Sequence, residues 1–222
     1  EYGMNDRLLL DKMDVKTGHV IWEGIKYSLN DNDFPTVDQK DPYTLTEEEK
    51  AVMKELRAAF LNSAQLQKHV KFLYEKGSMY RVFNGNLLYH GCIPFDAHGK
   101  FDRMEFDGKV YQGKAYLDYA DSMAREAFLK KTPEAVDFMW FLWSGRKSPL
   151  CGRNIRTFER MFLDDERTWR EESNPYYKFY HQEEVCNMIL GEFGLHSETS
   201  HIVNGHTPVK TMEGEQPIRC LL

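Results

Sequence analysis

The chain has 222 residues, a formal net charge of −6 at pH 7, 41% hydrophobic and 14% aromatic residues. That content suffices to bury a core, as one domain or one domain with a large insertion, and excludes a disordered chain. The acidic balance gives no general electrostatic reason to bind nucleic acid or an anionic membrane, and leaves open a small anionic ligand on a local basic patch.

Residues 7–10, and residues 20–22 after the Lys16-Thr17-Gly18 turn, are predicted as short strands, with residues 30–43, punctuated by Pro and Asp, as loop. The first firm helix follows Thr46. Glu49 completes a capping box with it, and Val52, Leu56, Ala59 and Phe60 recur at helical spacing. A second helix spans residues 63–75, with Leu66, Val70, Leu73 and Tyr74 on its apolar face and Gly77 as its stop. The two make a helical hairpin.

Residues 79–90 divide into two β-rich runs around Asn84-Gly85, with Leu87-Leu88-Tyr89 as a short buried strand that ends at His90. Gly91-Cys92-Ile93-Pro94 reads as loop, and residues 101–111, centred on Asp107-Gly108, as a β-hairpin. Helices are predicted over 116–129 and 133–142, the second buried, then a basic Gly/Pro-marked stretch over 144–160. A further helix over 183–193 stops at Gly194, and a last strand, His201-Ile202-Val203, feeds Asn204-Gly205-His206-Thr207-Pro208. No internal repeat is visible.

Cys92, Cys151, Cys186 and Cys220 include no C-x-x-C pair, so neither a zinc knuckle nor a disulfide framework is signalled, and a reducing cytoplasm fits. No run approaches the roughly 18 apolar residues of a membrane helix, and no signal-peptide pattern opens the chain. The first residue, Glu1, and the terminal apolar run Cys220-Leu221-Leu222 are read as those of a fragment.

Two places share one design. In Leu87-Leu88-Tyr89-His90-Gly91 and Ile202-Val203-Asn204-Gly205-His206, a short apolar strand runs into a histidine with glycine beside it. Ladder hydrogen bonds fix the backbone at a strand end, and glycine lets an ion or phosphate approach. Neutral imidazole is a common ligand for Mn, Fe and Zn, and two such strand ends side by side can grip one ion. Taken singly, a histidine at a strand end is more often a hydrogen-bonded loop residue; the pair favours a ligand.

His90-Gly91-Cys92-Ile93-Pro94 is similar to the H-G-G-[LI]-x-P element of calcineurin-like metallophosphoesterases, and Gly205-His206-Thr207-Pro208 resembles their later G-H-[TS]-x element. The resemblance implies that His90 and His206 ligate the same one of two metal ions. Leu142-Trp143-Ser144 with Arg153 resembles the L-W-S…R stretch of phosphoprotein phosphatases, which implies that Arg153 clamps the substrate phosphate; Arg156 is the alternative, and a merely solvated basic face is the competing reading. Across nearly the whole chain, Asn5-Asp6-Arg7-Leu8-Leu9-Leu10-Asp11-Lys12, Lys76-Gly77-Ser78-Met79-Tyr80, Thr157-Phe158-Glu159-Arg160 and Asn174-Pro175-Tyr176-Tyr177 resemble class III bacterial fructose-1,6-bisphosphatase.

That resemblance implies an α+β fold: part of a metallophosphoesterase-type β-sandwich flanked by helices, with a large α-rich insertion. Residues 1–78 would carry short strands and the helical hairpin, and residues 79–222 the C-terminal half of the core, with the insertion at about 97–195. It implies a cytoplasmic, manganese-dependent enzyme of gluconeogenesis that hydrolyses the 1-phosphate of a sugar bisphosphate, with iron, cobalt or zinc as other candidate metals. Family enzymes also carry D-x-H, G-D-x-x-D-R-G and G-N-H-E elements, which are absent here, so no catalytic residue is assigned and the chain alone is expected to be inactive. Its expected partner is the missing N-terminal half or a second copy, with no nucleic acid and no membrane. The alternative is a non-catalytic interaction module or subunit that pairs with a separate N-terminal half.

Overall fold

The computed structural model describes residues 2, 4–196, 198–218 and 220; Glu1 and the terminal Leu221 and Leu222 lie outside the described residues. The chain divides into two units, one of residues 1–77 with 156–170, the other of residues 78–155 with 171–222. Among the described residues there are seven α-helices, and the strands form three small sheets of three, three and two strands.

In the first unit β1 (Met13–Asp14), β2 (His19–Trp22) and β3 (Ile25–Ser28) form an antiparallel meander. The β2–β3 turn places Glu23 and Gly24 at positive φ, the twist that two-residue hairpin loops favour. Met13, Val20 and Leu163 make the centre of its core, with Leu10, Tyr27, Leu29 and Phe34 packed around them. Residues 7–10 are not the predicted strand. They close short 3-10 turns at Asn5–Arg7 and Leu10–Lys12, with Arg7 N–H donating to the Met4 carbonyl (2.9 Å) and Lys12 N–H to that of Leu9 (3.0 Å). The run is apolar because Leu9 and Leu10 anchor it on the core, not because it enters a sheet.

The helical hairpin forms as predicted. In α1 (Glu47–Asn62), Thr46 Oγ1 accepts from Glu49 N–H (3.2 Å) while Glu49 Oε2 accepts from Thr46 N–H (2.8 Å), so two orphan donors are satisfied reciprocally. Ser63 ends this helix and caps α2 (Ala64–Lys76), whose last turn closes through Gly77 N–H to the Leu73 carbonyl. Neither helix buries a residue, and Val52, Leu56, Phe60, Phe72 and Leu73 are each more than half exposed. A later helix of the same unit, α5 (Thr157–Phe162), brings Leu163 to the core.

The second unit is built on β4 (Tyr80–Phe83), β5 (Asn86–Tyr89) and β8 (Ile202–Asn204), in the order β4-β5-β8. Asn84 and Gly85, both at positive φ, turn β4 back onto β5. β8 joins β5 in parallel, with Leu87 opposite Ile202, Leu88 opposite Val203 and Tyr89 opposite Asn204. The second hairpin, β6 (Met104–Phe106) and β7 (Lys109–Tyr111), turns through Asp107 and Gly108, again both at positive φ. Four helices complete the unit: α3 (Gly113–Leu129), α4 (Pro133–Ser144), α6 (Tyr176–Phe179) and α7 (Glu183–Glu192). Leu87, Ile93, Tyr116, Leu117, Phe138, Leu142 and Tyr176 are all essentially removed from solvent. The expectation that α4 is buried needs correction: Ala135, Phe138, Phe141 and Leu142 face the core, whereas Trp140 is 41% and Trp143 65% exposed. At 3.6 residues per turn a helix packed on one side turns the intervening positions outward, however apolar they are.

Leu87 is fully buried in the central strand β5. Leu87→Ala is therefore expected to destabilise the second unit by about 2–5 kcal/mol, read as a lower urea midpoint by circular dichroism, with the Thr46-capped hairpin unaffected.

Candidate metal centre at two strand ends

Parallel pairing puts the C-terminal ends of β5 and β8 on one edge of the sheet. His90 follows the last residue of β5, and Gly205-His206 follow the last residue of β8. Gly205 N–H donates to the His90 carbonyl (3.0 Å), which carries the ladder one residue past the strands. The rings meet there: His90 Nε2 lies 3.1 Å from His206 Nδ1, with ring centroids 5.0 Å apart and planes at 79°.

Three local features hold this geometry. Gly91 runs so close to the loop after α4 that a Cβ would collide with the Pro149 carbonyl and stand 2.9 Å from that of Leu150. Asn204 donates from its side-chain amide to the Gly91 carbonyl (2.6 Å) and the His90 carbonyl (3.3 Å), tying the two strand ends together. His206 adopts φ 62°, left-handed for an L-residue, within a three-residue turn closed by Thr207 N–H to the Gly205 carbonyl (2.7 Å). Such a conformation costs on the order of 1–3 kcal/mol and persists where its surroundings over-determine it. Asn204 stood in the quoted pattern but nothing in the sequence marked it as the clamp.

Burial first, then His90 and the positive charge of Arg153, hold His206 below the ordinary histidine pKa, with the Cys151 carbonyl working against them. His206 Nε2 is buried and meets no hydrogen bond of normal geometry among the described residues, with the Cys151 carbonyl as the group that acts on the ring. Arg153 is held by the backbone pairing of Arg153 with Ser173, and its guanidinium lies 3.8 Å from Glu171, while its Nε is buried without a hydrogen-bond partner among the described residues. Arg156, the alternative clamp, belongs to the first unit. It is buried there, with Nη1 3.1 Å from Glu159 Oε1, Nη2 3.4 Å from Glu23 and its guanidinium 4.7 Å over the Trp22 ring. Trp22 Nε1 donates to the same Glu159 oxygen at 3.2 Å. That guanidinium is committed to a buried network, and removing it would leave Glu159 as an uncompensated buried charge.

The facing nitrogens fit a divalent cation. Two imidazole donors about 2.0–2.1 Å from one ion, at tetrahedral or right angles, stand about 2.9–3.4 Å apart, and the pair at 3.1 Å falls inside that span. The same spacing suits one shared proton, so the edge offers two lone pairs that one proton or one cation can bridge. No group of three or more His, Cys, Asp or Glu placed to hold a metal occurs among the described residues. The two histidines supply two nitrogens, fewer than such a group. Among the described residues no helix is long and apolar enough to cross a membrane.

A family profile described as Firmicute fructose-1,6-bisphosphatase matches residues 1–221. The chain is 50% identical over 225 aligned residues to a protein of Clostridium novyi (strain NT) named fructose-1,6-bisphosphatase class 3, covering 99% of this chain and 34% of the relative. Relatives of the same name from Clostridium botulinum, strain Alaska E43 (Type E3) and strain Langeland (Type F), are 49% and 48% identical with the same coverage. The chain spans about a third of the length of these curated relatives. No solved structure matches.

A lowered His206 pKa means that the folded chain binds its proton less readily than the unfolded chain. The contribution is therefore neutral above the ordinary histidine pKa and destabilising below it. In metal-free protein the His206 imidazole should titrate below about 6.5 by NMR, and stability should fall from pH 7.5 to 5 more steeply than in His206→Asn, which tolerates the left-handed backbone.

Proposed function

The chain belongs to the Firmicute fructose-1,6-bisphosphatase family, and on that premise we propose that it supplies part of the metal site of a fructose-1,6-bisphosphatase, which hydrolyses the 1-phosphate of fructose 1,6-bisphosphate. The observation that carries the proposal is the pair of imidazole nitrogens 3.1 Å apart at two parallel strand ends. His90 and His206 hold one ion of a two-metal site, manganese in the first instance, with iron, cobalt and zinc compatible with the same donors. Bound metal supplies a hydroxide nucleophile at neutral pH and offsets charge on the attacking and leaving oxygens.

This chain's own residues do the following. His206, disposed toward its neutral form, presents a lone pair beside that of His90. Gly205 keeps side-chain bulk away from the His90 ring, and Gly91 lets the strand end pack against the 149–150 carbonyls. Arg153 meets phosphate oxygens with a planar guanidinium, neutralising charge that grows as the bond to the leaving oxygen breaks. No residue here is assigned to protonate that oxygen. The D-x-H, G-D-x-x-D-R-G and G-N-H-E elements lie outside this chain. The other metal's ligands, the bridging carboxylate and the acid therefore come from a segment upstream, and β4-β5-β8 forms part of a two-sheet sandwich completed by that segment.

A second reading, an interaction module that pairs with a separate N-terminal half, is favoured by the uncovered apolar residues of α1 and α2, with Phe60 65% and Phe72 63% exposed. The two readings separate on chemistry. In a chain extended to the relatives' full length, manganese-dependent release of phosphate from fructose 1,6-bisphosphate is expected, with His90→Ala and His206→Ala each lowering kcat/KM by about 100-fold or more. The 222-residue chain alone should be inactive. Metal-dependent turnover by it within tenfold of the long chain, or indifference of the long chain to both substitutions, contradicts the proposal.

A further inference from the structure

The loop that follows α4, residues 145–152, touches both candidate ligands without containing either. Cys92 N–H, two residues past His90, donates to the Pro149 carbonyl (3.0 Å), and Gly91 is pressed against the Pro149 and Leu150 carbonyls. On the other side the Cys151 carbonyl acts on the His206 ring. Nδ1 of that ring already faces His90, so the carbonyl addresses the buried Nε2. The loop then runs directly into Arg153, whose carbonyl accepts from the Cys151 thiol at 3.3 Å.

One side chain organises this loop. Ser148 is fully buried. Its hydroxyl donates to the Leu142 carbonyl, one of the four terminal carbonyls of α4, and accepts from the N–H groups of Leu150 (3.1 Å) and Cys151 (3.2 Å). A hydroxyl offers one donor and two acceptor sites, so all three are in use. The Ser148 carbonyl accepts from Gly152 N–H at 2.9 Å.

The consequence follows from peptide geometry. In a trans peptide the N–H and the C=O of one planar unit point in opposite directions. Three successive units, 149–150, 150–151 and 151–152, all turn their N–H toward Ser148. Their carbonyls, those of Pro149, Leu150 and Cys151, therefore point outward. Outward lie Cys92 N–H, Gly91 and the His206 ring, which are the backbone beside one candidate ligand and the imidazole of the other.

We propose that Ser148 is a positioning residue for the histidine edge: it gathers three N–H groups, and the last of the three carbonyls so directed holds His206 as the tautomer protonated on Nε2, with the Nδ1 lone pair turned toward His90. Ligating histidines are commonly oriented in this way, the ring N–H that does not meet the ion being donated to a backbone carbonyl or a carboxylate. The inference rests on the metal reading for what that lone pair meets, but the tautomer is a property of the metal-free chain.

The tautomer is read in the metal-free 222-residue chain in EDTA at pH 8, from long-range proton–nitrogen couplings of the His206 ring. Wild-type protein is expected to carry the proton on Nε2. Ser148→Ala should convert this into a mixture of the two tautomers. Ser144→Ala, which removes another buried hydroxyl, one that donates to the Trp140 carbonyl of its own helix (3.1 Å), should leave it unchanged. In a chain extended to the relatives' length, Ser148→Ala should weaken manganese binding about tenfold and Ser144→Ala should not. A wild-type ring protonated on Nδ1 overturns the assignment without any variant having to fold, and so does an unchanged tautomer in Ser148→Ala. If manganese binding depends on both histidines and not on Ser148, the positioning role falls and the metal reading stands. If the tautomer shifts as expected while manganese binding ignores His90→Ala and His206→Ala, Ser148 keeps its hold on the ring and the metal reading falls.

Discussion

The candidate site depends on one register: the parallel pairing that sets Tyr89 opposite Asn204. A parallel pair ends both strands on the same edge, so a residue placed just beyond each C-terminus is delivered to the same place without a dedicated loop. Here those residues are His90 and, one glycine further, His206. Because side chains alternate along a strand, a slip of one residue would reverse the faces of the strand that moves, and the fully buried Leu87 resists it in β5. The imidazole spacing is thus inherited from a hydrophobic register more than from the histidines themselves.

The stresses of the site lie around that edge. Gly91 is pressed against the 149–150 carbonyls, Asn204 bridges the two strand ends, and His206 is held in a left-handed conformation. Each contributes to holding two nitrogens close while one of them is partly withdrawn from water. That arrangement disfavours a second proton and leaves a lone pair for a cation. Two nitrogens fall short of a group that holds a metal by itself, in a chain that spans about a third of its relatives' length. The uncovered apolar residues of α1 and α2 belong to the same picture, because amphipathic helices draw most of their stability from a packed face.

Much of this was legible in the sequence where short-range chemistry decides. The Thr46–Glu49 capping box, the Asn84-Gly85 and Asp107-Gly108 turns and the Gly77 stop each act through neighbours within a few residues, and each lies where its pattern put it. The misreadings concern long-range packing. Residues 7–10 look like a strand because they are apolar, yet their N–H groups close local turns while the side chains anchor a core completed by Leu163. Trp140 and Trp143 look buried because they are large and apolar, yet they lie on the outer side of α4. At the site, the strand–histidine–glycine pattern pointed to both histidines, but the sequence held no means of choosing between Arg153 and Arg156, three residues apart. What distinguishes them is that Arg156 pairs with a fully buried Glu159 and covers Trp22, a network assembled from residues more than 130 positions apart.

The central claim, that one ion is shared by His90 and His206, is tested most directly by electron spin-echo envelope modulation on a chain extended to the relatives' length and loaded with manganese. Couplings to two imidazole nitrogens at one ion are expected, with one lost in His90→Asn and one in His206→Asn. A manganese signal whose nitrogen couplings survive both substitutions would contradict the account, because the ion would then be held by other residues and the two rings would share no more than a proton.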